Sequence, residues 1–127
     1  MKTIQPVTTW YNGNEVEATI LSSNCSDDNL STSATFQYQL IQITRNPSNP
    51  YFDYFTTLVN GTLLMDGTTY QNWQTNDYAY DWIAEQLKLT ITGNYVPPVP
   101  PTTTSTTTTS TTKAPTTSTT TTTTTKP

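Results

Sequence analysis

Apolar and polar side chains alternate along several short stretches of this chain, as they do in strands that bury one face. In the clearest stretch, 34–43, Phe36, Tyr38 and Leu40 are separated by Gln37 and Gln39. Similar alternation predicts four more strands, at 7–11, 16–22, 55–64 and 89–92.

Turn residues separate these predicted strands. Asn12-Gly13 lies between the first two, and this pair suits the positive φ angles of a type I′ hairpin turn. The polar stretch 22–33 is interpreted as a connection, and 45–50, with two prolines, as a loop. Asp66-Gly67 predicts a turn after the fourth strand.

A change from period two to helical spacing predicts one main helix over 77–87. Thr75 or Asn76 would cap its N-terminus, where Asp77 suits the helix dipole. The apolar stripe expected to pack on a sheet consists of Ala79, Trp82, Ile83 and Leu87. The fold class is therefore predicted to be mainly β, a small antiparallel sandwich or bent sheet with one C-terminal helix.

The C-terminal part of the chain differs sharply in composition. From Thr102 to Thr125, 18 of 24 residues are Thr and three are Ser, so there is little to bury against a core. We expect one small β-rich domain at 1–95, a Pro-rich linker at 96–101 and an extended Thr/Ser-rich low-complexity tail at 102–127.

Charge excludes one large class of partner. Residues 1–95 carry three basic and nine acidic side chains, a net charge of −6, and no basic cluster that could hold phosphates. We therefore expect no nucleic acid as a partner. The N-terminus also lacks the apolar run of a signal peptide, and no later stretch resembles a membrane span, so we expect a soluble chain with no membrane partner.

Candidate chemistry is sparse. The chain has no histidine, and its single Cys25 stands beside Asp27 and Asp28, which would raise a thiol pKa. The acidic residues do not form a calcium loop, and the four glycines do not form a phosphate loop. We expect no enzyme activity, no catalytic residues, no cofactor and no metal.

Aromatic side chains are the more informative group, because rings with polar edges serve contact surfaces as well as cores. Phe36 and Trp82 are predicted to be core residues. Those predicted to lie at an interface are Tyr51, Phe52, Tyr54, Trp10 and Tyr11.

Five segments of residues 1–95 resemble a group of short proteins found in the genomes of tailed bacteriophages. They are Thr3–Val7, Trp10–Gly13 with Ala18–Leu21, Ser33–Tyr38 and Tyr78–Leu87. The Thr-rich tail broken by Ala114-Pro115 is also similar to tails of phage virion proteins. The group resembles small accessory virion structural proteins, so the resemblance implies a non-enzymatic role and brings no catalytic residues.

The expected function is that of a structural or decoration subunit of a phage particle, in many copies, with the tail displayed outward. Its partners would be other virion proteins or copies of itself. It would be made in the host cytoplasm and located in the virion. Two alternatives remain. The first is an extracellular filament subunit with an ordered or glycosylated Thr-rich segment, and the second is a glycan-binding adhesin on an O-glycosylated stalk.

Overall fold

A computed structural model of the protein describes residues 1–102, so the expected tail at 102–127 lies outside the described residues except for Thr102. The described part forms one antiparallel sheet of five strands, in the order β4-β3-β2-β1-β5, with two short helices. The elements are β1 (Lys2–Tyr11), β2 (Asn14–Asp28), β3 (Ser33–Arg45), β4 (Asp53–Asp66), α1 (Gly67–Asn72), α2 (Asn76–Gln86) and β5 (Ile91–Asn94). The predicted mainly β fold class is confirmed, in its bent-sheet form.

The turn between β1 and β2 has the predicted geometry. Asn12 and Gly13 have φ angles of 50° and 80°, both positive as a type I′ turn requires. Tyr11 and Asn14 face each other directly across it. The turn residues Asn12 and Gly13 therefore set the register of this hairpin.

The interpretation of 22–33 as a polar connection is wrong for most of its length. Residues 22–28 continue β2 and pair with β3, from Ser22 opposite Gln39 to Asp28 opposite Ala34. Side chains help to hold this polar half of the strand, because Ser26 Oγ donates to the Thr35 carbonyl over 3.1 Å. Only 29–32 form the connection.

The loop at 29–32 is organised by one side chain. Asn29 Oδ1 accepts hydrogen bonds from the backbone amides of Ser31, Thr32 and Ser33, at 3.0, 2.8 and 3.0 Å. Such asparagine-centred turns replace backbone partners that the strands no longer supply.

The main helix, α2, begins as the sequence predicts. Thr75 is the N-cap, and its hydroxyl accepts a hydrogen bond from the Tyr78 amide over 3.2 Å. Ala79 and Ile83 of the predicted stripe are buried, together with Ala84, while Trp82 and Leu87 are half-buried. The second helix, α1, was not predicted. Asp66-Gly67 begins a six-residue helix at a position where the sequence predicted only a turn.

Polar contacts fix α2 to the sheet. Tyr80 Oη both accepts from the Ser23 amide and donates to the Ser23 carbonyl, at 3.1 and 3.2 Å. Lys2 Nζ lies 2.6 Å from both Asp77 Oδ1 on α2 and Asn94 Oδ1 on β5, with its side chain only 13% exposed. These two groups tie the helix to β1, β2 and β5.

The main core lies between the helices and one face of the sheet. Phe36 is at its centre, with its ring centroid 5.0 Å from that of Trp73 and 6.1 Å from that of Trp82. Buried neighbours in the same cluster include Ile4, Ala18, Leu21, Ala34, Leu40, Met65, Ala79, Ile83 and Ala84.

Ile20 and Ile41 form a second buried site on the opposite face. They are opposite each other on β2 and β3, next to the pair Leu21 and Leu40 that faces the helices. Successive side chains of a strand point to opposite faces, so the two isoleucines point away from the helices. They are only 1% and 5% exposed, so this face is covered as well.

Bulges let the sheet curl and cover that face. Pairing slips between Thr3 and Val7 of β1, and Leu58 is the extra residue of β4 between Val59 and Thr57. Bulges bend and twist the strands that carry them. On the far side of the β4 bulge, Asp53 at the start of β4 is hydrogen-bonded to Tyr95. Tyr95 directly follows β5, the strand at the opposite edge of the sheet from β4.

Close packing at Gly61 leads to a testable expectation. A β-carbon added there would lie 2.5 Å from Tyr38 Oη and 2.7 Å from its Cζ. Gly61→Ala must therefore displace the Tyr38 ring, and we expect it to lower the free energy of unfolding by about 1–3 kcal/mol, measured by chemical denaturation.

Gly93→Ala is the matched control, since the nearest atom to its added carbon, Thr3 Oγ1, is 3.4 Å away. Equal losses in the two variants would show that Tyr38 moves aside freely.

Candidate functional site

The loop between β3 and β4 presents aromatic side chains from a well-bonded backbone. Asn46 Oδ1 accepts from the amides of Ser48 and Asn49, at 2.8 and 3.2 Å. Asn49 Oδ1 in turn accepts from the Tyr51 amide over 3.0 Å. The backbone N–H of Asn46 donates to the backbone carbonyl of Phe52 over 3.1 Å, and this hydrogen bond closes the loop.

Tyr51, Phe52 and Tyr54, called here the hairpin-tip aromatics, are all exposed, at 43%, 55% and 51%. The rings of Phe52 and Tyr54 meet edge to face with centroids 5.7 Å apart. Asn46 Nδ2 donates to Tyr54 Oη over 3.0 Å. The rings of Phe52 and Tyr54 are therefore held together, and Tyr51 precedes them in the same hairpin with its backbone fixed by Asn49.

This surface is almost free of charge. Between Arg45 and Asp66 the only Asp, Glu, Lys or Arg is Asp53, which is buried. Interfaces between proteins favour aromatic rings and contain few charges at their centres. The composition of the hairpin tip is thus typical of a contact surface.

Trp10 and Tyr11, the other predicted interface residues, lie at the tip of the β1–β2 hairpin. Trp10 is 72% exposed and Tyr11 36%. They are opposite Glu15 and Asn14 on β2. They form a second exposed aromatic group, on a different hairpin from the hairpin-tip aromatics.

Sequence reasoning missed the group beneath the hairpin tip. Asp53 is buried, and its carboxylate accepts a hydrogen bond from Tyr95 Oη over 2.9 Å while Arg45 Nε lies 3.4 Å away. The ring of Tyr95 also packs edge to face on Phe55, with centroids 5.6 Å apart. This group fixes the base of the hairpin that carries the hairpin-tip aromatics.

The same surroundings perturb Tyr95. Burial and then the hydrogen bond to the Asp53 carboxylate raise the pKa of the Tyr95 hydroxyl, and Arg45 lowers it by a smaller amount. Tyr95 therefore stays protonated, as a donor to Asp53, beyond the pH at which a free tyrosine ionises.

Asp28 lines an open groove with Tyr70 and Trp73, beside the start of α2. The structure gives this acid a structural role, since its Oδ1 accepts from Tyr70 Oη over 2.7 Å and from the Leu30 amide over 2.8 Å. The hydrogen bond to Asp28 raises the pKa of Tyr70. Among residues 1–102, no group of three or more His, Cys, Asp or Glu side chains could hold a metal ion.

Cys25 lies on β2, exposed, with its thiol 3.4 Å from the Asp27 carbonyl. Partial burial is the main cause that raises its pKa, and the carboxylates of Asp28 and Asp27 raise it further. A raised pKa keeps the group as a thiol at neutral pH, whereas a nucleophile must be a thiolate. The position of Cys25 therefore gives no support to thiol catalysis.

Comparison with known proteins found no match, whether to family models, to curated proteins or to solved structures. Within the described residues, no helix is both long and apolar enough to cross a membrane.

Proposed function

We propose that the protein is a non-enzymatic structural or decoration subunit of a bacteriophage particle, present in many copies and bound through its folded domain. The observation that carries the contact is the exposed, uncharged aromatic surface of Tyr51, Phe52 and Tyr54 on a well-bonded hairpin. The phage assignment rests on the resemblance of the five sequence segments and the Thr-rich tail.

The bound surface is the hairpin tip, because exposed rings there offer apolar area at low entropic cost. Phe52 and Tyr54 already hold each other edge to face, so little side-chain freedom remains to be lost on binding. Tyrosine and phenylalanine are also enriched at the centres of interfaces. Trp10 and Tyr11 provide the second candidate contact, and the Thr-rich tail would point outward from the particle.

Replacing Tyr51, Phe52 and Tyr54 together by Ser tests this proposal. We expect the triple variant to fold, because all three side chains are exposed, and to be absent from purified particles. The measurement is copy number per particle by quantitative mass spectrometry, with thermal unfolding of the isolated protein as the check on folding.

A matched control replaces Thr32, Thr68 and Thr90, three exposed residues outside the hairpin tip, together by Ser. This control should be incorporated normally. A normal copy number for the aromatic variant would exclude the hairpin tip as the contact and make Trp10 and Tyr11 the next surface to change.

The exposed tyrosines also favour a second candidate, a glycan-binding adhesin, since aromatic faces stack on sugar rings as well as on proteins. In that case the purified protein would bind immobilised oligosaccharides, and the triple variant would lose the binding. The filament alternative concerns the tail, which lies outside the described residues.

A further inference from the structure

The outer side of β4 is an open sheet edge. β4 is the last strand of the sheet order, and its straight part, Val59–Met65, pairs with β3 from Leu40 to Ala34 without interruption. Among residues 1–102, no backbone hydrogen bond from a turn or loop reaches the other side of this segment. We call Val59–Met65 the β4 edge.

The β4 edge lacks the features that protect sheet edges from pairing. Such edges are usually short or carry lysine, proline or inward-pointing charge. From Tyr54 to Met65 the strand has no charged residue and no proline. The opposite edge differs, since β5 has only four residues and Pro97 and Pro98 follow closely.

Leu64 adds an apolar contact to this open backbone. It is 59% exposed and, with Asn60 and Thr62, lies on the sheet face away from the helices. Thr35 of β3 is directly opposite it, and its next neighbours on that face, Thr62 and Gln37, are also polar. Leu64 is thus an isolated apolar residue at the edge where an added strand would lie.

Symmetry makes a second copy of this chain a suitable occupant, because a strand edge that pairs antiparallel with its own two-fold copy presents the same backbone groups from both sides. The domain carries a net charge of −6, so two copies repel unless they meet at an uncharged surface, and the β4 edge is one. Antiparallel pairing of two β4 edges about a two-fold axis near Thr62 would place Leu64 of each copy beside Asn60 of the other. It would also place each Asp66 opposite an uncharged Leu58, so that no two carboxylates face each other.

We propose that two copies of the chain pair through their β4 edges, so that one sheet runs continuously through both. This pairing rests on the proposed function, because an assembly of many copies brings the β4 edge of one copy close to the β4 edge of another. A seven-residue contact buries less than the roughly 1,000 Å² of a stable interface, so the isolated pair should be weak and should strengthen within the assembly.

Sedimentation velocity of the full-length protein over a wide concentration range tests the pairing. We expect a reversible monomer–dimer equilibrium in which Leu64→Lys raises the dissociation constant about tenfold or more, since lysine is a natural protector of edges. Leu30→Lys is the matched control, because Leu30 is 86% exposed on the loop between β2 and β3 and does not belong to β4. It should dimerise like the wild type.

A monomer at every concentration, or equal dissociation constants for the Leu64→Lys and wild-type proteins, would overturn the proposal. A synthetic peptide of residues 102–127 tests the other occupant of the edge, and we expect it to leave the dimer intact. Dissolution of the dimer by the peptide would overturn the proposal, because it would make the Thr-rich tail the strand that pairs. The triple Ser variant should still dimerise, so failure of the particle contact and failure of edge pairing give different results.

Discussion

Replacing Phe36 by alanine is expected to lower the free energy of unfolding by about 3–5 kcal/mol. Phe36 is only 3% exposed, and its ring touches Trp73 after α1 and Trp82 within α2. The cavity would therefore weaken the attachment of both helices to the sheet. Chemical denaturation followed by tryptophan fluorescence and by far-ultraviolet circular dichroism measures the loss, and both signals should shift together.

Phe52→Ala is the control, because it removes the same ring from an exposed site. With 55% of Phe52 accessible, we expect a change within about 0.5 kcal/mol. A loss below about 1 kcal/mol for Phe36→Ala would contradict the placement of the helices on this face of the sheet, since nothing else would fill the space.

Local alternation of apolar and polar residues was sufficient to predict the strands that bury one face and expose the other. Phe36, Leu40 and their neighbours alternate with Gln and Thr because one face of β3 lies against the helices. The Asn12-Gly13 turn was predictable for a similar local reason, since few residues adopt the two positive φ angles that it needs.

The second half of β2 was not predictable from local composition. Ser22–Asp28 contains serine, asparagine and aspartate, which normally favour connections. This segment becomes a strand because β3 supplies backbone partners along its length and because Ser23 bonds to Tyr80. These partners are distant in sequence, and tertiary pairing overrides the local preference. The short α1 was missed because six residues with no buried side chain give no periodic signal.

The candidate surface was partly predictable. Rings at Tyr51, Phe52 and Tyr54 follow two prolines in a segment with little charge, and this composition indicated a contact surface. The support beneath them was hidden because Asp53 and Tyr95 are 42 positions apart in the chain. Only the curl of the sheet, which brings β4 to the segment after β5, places them together.

Removal of Tyr95 is therefore expected to have the second largest effect, a loss of about 2–4 kcal/mol in Tyr95→Ala. The variant loses the ring contact with Phe55 and leaves the buried Asp53 carboxylate without its hydroxyl donor. Tyr95→Phe separates the two contributions, since it retains the ring and should lose about 1–3 kcal/mol. Urea denaturation at neutral pH measures both variants.

The pH dependence gives a second readout of the same contact. Because the folded-state pKa of Tyr95 is raised, its contribution is fully present below the ordinary tyrosine pKa and is lost as the pH rises through the higher folded value. Wild-type stability should therefore fall above about pH 10, and Tyr95→Phe should fall less steeply over the same range. Tyr70 has a pKa raised by Asp28 and remains in both proteins, so the difference between the two curves reports Tyr95 alone. Parallel curves would mean that Tyr95 does not donate to Asp53 in solution, and the base of the hairpin would then depend on the contact between Arg45 and Asp53.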